Sequence, residues 1–168
     1  MSVVWSGKWI EAVADGTWEY VRRARGISAS VILAITDEGE VVLTEEYRVP
    51  LGGPVIGLPA GLVGDETAAD SPEAAARREL IEEAGYSARN WRSVGEFATS
   101  PGMSSETYHF FIATGLERVG DGGGIAGEAI TVHLVKLREV ASFVASARAR
   151  GAHVDGKLLC LLAFASAE

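Results

Sequence analysis

Cysteine is almost absent from this chain: Cys160 stands alone in 168 residues, inside the apolar run KLLCLLAF. A lone cysteine excludes a disulfide framework and a thiolate metal set, and its apolar neighbours make it a buried, unreactive thiol. Basic residues are also in short supply, with 15 Lys and Arg against 23 Asp and Glu and a formal net charge of -8. That balance argues against a broad surface for nucleic acid or an anionic membrane, so an anionic ligand would be met by local arginines or through a metal. No apolar run approaches the roughly 20 residues needed to span a bilayer, and no signal peptide is recognisable at Met1, so the expectation is a cytoplasmic protein. Several catalytic signatures are missing too: there is no GK[ST] phosphate loop, no HExxH pair and no G-x-S-x-G elbow. His109, His133 and His153 are too far apart to form a motif. Gly122, Gly124 and Gly127 have dinucleotide-fingerprint spacing, but EAITVHLV follows them, a strand where a helix N-terminus would be required.

What is present fits one compact α+β domain over residues 1–168, with 48% hydrophobic residues for its core. Segments rich in β-branched and aromatic residues recur as VVWSGKWIEAV, TWEYVRR, ISASVILAI, EVVLTEEYR, WRSVGEFA, TYHFFIAT and AITVHLVKL. TDEG, residues 36–39, reads as a hairpin turn between two of them. Helical patterns cover residues 72–84, roughly 138–150 and roughly 155–165. The first has both ends marked, by Ser71 as N-cap ahead of Pro72 and by Gly85 just past its end. VGDGGGIAGEA, residues 119–129, carries five glycines and reads as a mobile loop. Trp5, Trp9, Trp18 and Trp91 are most simply core or interface residues, with an N-terminal aromatic available to stack on a base.

The stretch ARRELIEEAGY, residues 76–86, sets the functional question. Wound as a helix, it puts Glu79, Glu82 and Glu83 within an arc of about 100 degrees, because positions three and four apart are neighbours. A solvated acidic face is the plain alternative, and Glu73 paired with Arg77 at i,i+4 is in keeping with it. Repulsion between Glu79 and both of its acidic neighbours has no purpose on a merely solvated face. Oxygen ligands with no nearby Cys or His suit a hard cation, Mg2+ or Mn2+, rather than zinc.

The run GLPAGLVGDETAADSPEAAARRELIEEAGY also resembles the signature of the Nudix hydrolases, which Arg78, Glu79, Leu80, Glu82, Glu83, Gly85 and Tyr86 match without a gap. The resemblance implies a Nudix fold, an α/β/α sandwich with a mixed sheet, preceded here by an N-terminal antiparallel β extension over residues 1–26. It implies that Glu79 and Glu83 bind divalent metal, with Glu82 close by as a further ligand or base. Asp70 stands where the family usually has Glu, and can still pair with Arg78. Gly64 satisfies the family count, but Gly61, following LPA with three residues inserted after it, is the preferred loop glycine. That choice makes the carbonyl of Ala60, rather than Val63, the implied backbone metal ligand.

The flanking features LPAG, EEYR ending at Arg48, SPGMSSE at 100–106 and the Gly-rich loop before EAITVHLV resemble the ADP-ribose and nucleoside diphosphate sugar pyrophosphatases of that superfamily. By that resemblance Arg48 and Arg25 contact the substrate, and Glu106 is the acid after the SPG turn. A salt bridge to Glu45 or Glu46 is the ordinary alternative for Arg48, and an exposed loop carboxylate for Glu106. Glu128 is implied as metal ligand or general base, which leaves the base open between Glu128 and Glu82. The implied reaction is metal-assisted hydrolysis of a diphosphate bridge, giving AMP and ribose 5-phosphate if the substrate is ADP-ribose. Apolar, aromatic N-terminal strands point, with the resemblance, to a homodimer.

Overall fold

The computed structural model describes residues 1–64, 70–125 and 127–159. Cys160 and the end of the third predicted helix therefore lie outside the described residues. In chain order the strands are β1 (Ser2–Ser6), β2 (Ile10–Asp15), β3 (Trp18–Arg23), β4 (Ala29–Ala34), β5 (Glu40–Arg48), β6 (Gly53–Gly57) and β7 (Ala60–Leu62). Helix α1 (Pro72–Ala84) follows, then β8 (Tyr86–Ala98), β9 (Thr107–Arg118), β10 (Thr131–Lys136), α2 (Val140–Ala149) and β11 (His153–Val154).

These strands form three sheets, ordered β1-β2-β3, β10-β5-β6-β11 and β7-β4-β9-β8. The first is the antiparallel N-terminal extension; VVWSGKWIEAV, one segment by composition, breaks into two strands at a turn closed by the Gly7 N–H on the Ile10 carbonyl at 2.9 Å. The other two are mixed, with β4 parallel to β9 and β6 parallel to β11. The turn expected at residues 36–39 is present, closed by the Gly39 N–H on the Thr36 carbonyl at 3.0 Å with Gly39 at a φ of 73°. It does not make a hairpin. After a single bridge, Ile35 to Val41, β4 and β5 part into different sheets, because each finds a longer partner elsewhere.

The period-2 alternation of β4 shows where the core lies. Val31 and Leu33 enter one cluster with Val41, Leu43, Ile56, Phe110, Ile112 and Val135, which α2 closes through Ala147. Ile32 and Ala34 enter the other, with Val42, Phe111 and Ala113, which α1 closes through Ala76, Leu80 and Ala84. The result is an α/β/α sandwich whose β4 is buried on both faces, the usual fate of a strand in parallel pairing.

Helix α1 begins and ends where its sequence says. Ser71 Oγ accepts the Ala74 N–H at 3.1 Å, Pro72 follows, and the N–H of Gly85, at φ 76°, closes back on the Ile81 and Leu80 carbonyls. Ser30, fully buried on β4, donates its hydroxyl to the Pro72 carbonyl at 2.7 Å and ties the first turn to the sheet. Burial of Leu80 adds roughly 1.5–3 kcal/mol, and the same docking turns the acidic positions one step round the helix toward β7.

Candidate active site

Glu79 and Glu83 are the only buried acids among the described residues. Both come from the α1 face beside the apolar stripe, so docking the helix forces them inward. The Glu79 carboxylate lies against β7, where a side chain on Gly61 would collide with it. Its Oε1 accepts from Arg78 Nη1 at 2.8 Å. Glu83 Oε2 accepts the Ala60 N–H at 3.0 Å. A strand residue directs its N–H and C=O to the same side, so the Ala60 carbonyl shares the edge of β7 that faces the helix.

Burial pushes the Glu83 carboxyl up from an ordinary 4.5 to about 8, with the charge of Glu79 and then of Glu46 adding to the rise; the Ala60 N–H and Arg48 oppose it. No basic residue stands in the last turn of α1, where Glu82 and Glu83 meet the negative end of the helix dipole. The helix end, burial and the acidic neighbours disfavour negative charge here more than the Ala60 N–H and Arg48 favour it, and a bound cation would offset the difference.

The residues suit a hard divalent cation: two close carboxylates, a backbone carbonyl on the facing edge and no soft donor. Among the described residues no three His, Cys, Asp or Glu side chains are already gathered as a complete ligand set. A magnesium-like ion needs only one or two carboxylates when substrate phosphates and water complete its shell.

The other expected residues are distributed around this pair. Glu82, half-buried, lies 3.6 Å from Arg78 Nη1, and Arg78 also reaches Asp70 at 3.4 Å. Arg48 is 55% exposed and pairs with Glu46 Oε2 at 2.7 Å. Glu128 is exposed, and its Oε2 accepts the Ile125 N–H at 2.9 Å, closing its own loop. Arg25 and Glu106 are held by the N-terminal sheet instead. The Arg25 guanidinium lies over the Trp9 ring at 5.5 Å, and Glu106 accepts from Arg23 Nε at 2.6 Å. Arg25 also lines a cavity of about 380 Å³ with Ser28, Val63 and Asp70. The histidines stand on three different strands, β9, β10 and β11, and His133 pairs with Glu45 at 2.9 Å.

The Gly-rich segment is docked rather than free. Val119 and Gly120 N–H groups reach the Gly85 carbonyl, Gly123 reaches Glu83 O at 2.8 Å, and Gly124 reaches Glu82 O at 2.9 Å. These are carbonyls that a helix end leaves without partners. Only glycine permits the approach, since a Cβ on Gly122 would come within 2.6 Å of the Glu83 carbonyl oxygen. Composition marked the segment as irregular, but not as a cap on the acidic helix.

The Arg48–Glu46 pair is the salt bridge that the sequence offered as the ordinary alternative for Arg48, and strand alternation along β5 selects Glu46 over Glu45. One participant escaped the sequence reading. Arg23, the partner of Glu106, carried no signal, because its contact depends on how β3 meets the 99–106 loop.

The NUDIX domain model matches residues 24–161. A GDP-mannose pyrophosphatase of Klebsiella pneumoniae is 35% identical over 148 residues, 83% of this chain and 71% of that one. An ADP-ribose pyrophosphatase of Bacillus subtilis is 40% identical over 87 residues, 51% of this chain and 44% of that one, and a methanol dehydrogenase activator of Bacillus methanolicus is 36% identical over 58% of this chain and 51% of that one. Matches to these last two thus span about half the relative's length. A crystal structure of an ADP compounds hydrolase superposes with a TM-score of 0.66 at 22% identity, covering 84% of this chain and 80% of that one, which is agreement in fold.

Proposed function

The chain belongs to the NUDIX domain family, and on that footing we propose that it hydrolyses the diphosphate linkage of ADP-ribose or a related nucleoside diphosphate sugar, releasing a nucleoside monophosphate and a sugar phosphate. The observation that carries the reading is the pair of buried glutamates, Glu79 and Glu83, pressed against the Gly61 and Ala60 backbone, with the Glu83 carboxyl held up to about 8 by burial. The substrate class follows from the names of the relatives, ADP-ribose pyrophosphatase and GDP-mannose pyrophosphatase.

Glu79, Glu83 and the Ala60 carbonyl would hold the divalent cation, Mg2+ or Mn2+. When bound, it supplies neutralisation of the phosphates and polarisation of the bond to be cut. Arg48 receives a phosphate oxygen through its permanently charged fork. The general base is Glu82, beside Arg78, or Glu128, on the loop that caps α1, either of which would take a proton from the attacking water. Arg25 and Glu106 serve the far end of the substrate, each braced by the N-terminal sheet. That sheet also mediates a homodimer, and the acidic, cysteine-poor chain works in the cytoplasm. Among the described residues no helix is long and apolar enough to cross a membrane.

The test is product release from ADP-ribose, GDP-mannose, other nucleotide sugars, NADH, dinucleoside polyphosphates and nucleoside triphosphates, with Mg2+ and with chelator. AMP or GMP should appear only with metal, and Glu83→Gln should lower kcat by about 10²-fold or more. Turnover of a triphosphate or dinucleoside polyphosphate alone moves the substrate class. Binding of ADP-ribose without turnover in either Mg2+ or Mn2+ replaces the enzyme with a nucleotide-sugar-binding module, the reading that the exposed, self-capped Glu128 favours.

A further inference from the structure

We propose that Glu46 is a positioning residue for Arg48: its carboxylate holds the guanidinium on the face of β5 that looks toward Glu83, so that the arginine meets the substrate diphosphate in a set orientation. The inference rests on the pyrophosphatase reading and adds to it a residue outside the acidic helix.

Strand geometry places the pair. Side chains on β5 alternate between faces, and Val42 is buried against α1 with Ala76 and Leu80. Thr44, Glu46 and Arg48 follow on that same face. Glu45 points the other way, where His133 Nε2 at 2.9 Å and Arg150 at 3.5 Å occupy it. Adjacent glutamates of EEYR thus serve opposite sides of the sheet. Glu46 Oε2 lies 2.7 Å from Arg48 Nη2, with the Glu46 side chain 22% exposed and that of Arg48 55% exposed. The better-covered partner is the anchor and the freer one is the arm. The face they share is the one that packs on α1, the helix that carries Glu83.

A partly exposed ion pair adds little to stability. Its effect here is on orientation: a guanidinium already held by one carboxylate loses less freedom when it takes a phosphate oxygen. The ion pair engages Nη2 alone of a group with five N–H donors, so the others stay available for the ligand.

A double-mutant cycle on Glu46 and Arg48 tests this, read on turnover of ADP-ribose or GDP-mannose with Mg2+. Glu46→Ala should raise KM about tenfold while kcat changes by less than about threefold, and should do neither in an Arg48→Ala background. Glu46→Gln, which keeps an acceptor for the guanidinium, should recover most of the loss. Melting curves check that each variant is folded, and a merely structural role would move those rather than KM. If the two alanine losses multiply, or Glu46→Ala lowers kcat alone, Glu46 does not act through Arg48 and the pyrophosphatase reading stands without it. If nothing is turned over, the same cycle is read on the Kd of ADP-ribose by calorimetry. Coupling there keeps Glu46 and overturns hydrolysis, whereas a wild-type protein that neither binds nor cleaves overturns both.

Discussion

The Glu83 carboxyl gives the site a pH signature that can be read without substrate. Its pKa is raised in the folded chain, from 4.5 to about 8, so between those values the folded state holds a proton that the unfolded state has lost. The stabilisation is complete below about 4.5 and is lost as pH rises through about 8, the reverse of an ordinary paired carboxylate. With chelator present, the melting temperature of the wild type should therefore fall relative to that of Glu83→Gln as pH is taken from 5 to 9. Added Mg2+ should narrow the gap at the alkaline end, where the carboxylate is free to bind it. A constant difference between the two proteins across that range would mean that Glu83 titrates normally and that its burial does not cost what the geometry implies.

Among the elements, α1 and its glycine cap carry the most. Gly122→Ala brings a Cβ against the Glu83 carbonyl at a φ of 67°, and neither backbone can yield. It should lower the melting temperature by several degrees and reduce kcat, because the capping loop also carries Glu128. Gly120→Ala, with nothing within 4 Å of the added carbon, should stay within about 0.5 kcal/mol of the wild type. Equal effects from the two would show that the loop is not packed on the helix. Elements with local determinants were legible in advance: Ser71, Pro72 and Gly85 delimit α1 through bonds made within one turn. Pairing was not. The 36–39 turn joins strands that leave for different sheets, and the caps on Glu82 and Glu83 arrive from a loop far along the chain. The same holds inside the site: the acidic face could be read from Glu79 and Glu83 and the Glu46–Arg48 pair from strand alternation, but Arg23 meets Glu106 through a contact that exists only once β3 and the 99–106 loop are assembled.

At the scale of the whole molecule, the N-terminal sheet exposes an unusual amount of apolar surface. All five residues of β1 are exposed, and Trp5, Trp9 and Trp18 are 57%, 49% and 62% exposed. The proposed homodimer would bury this surface. Sedimentation equilibrium should give twice the chain mass, and Trp5→Glu with Trp18→Glu should give a folded monomer. A wild type that stays monomeric at micromolar concentration would leave the aromatic face for another partner.

The parallel pairing of β4 with β9 also has a meaning in time. Ala29 lies opposite Tyr108 and Ala34 opposite Ala113, so the central ladder closes only after most of the chain is available, and contacts of such long range are slow to form. Until then α1 lacks much of the surface that turns Glu79 and Glu83 inward. On a ribosome the acidic helix would stay hydrated until Ala113 has emerged, and the buried pair of glutamates would assemble late, as a product of folding rather than a seed for it.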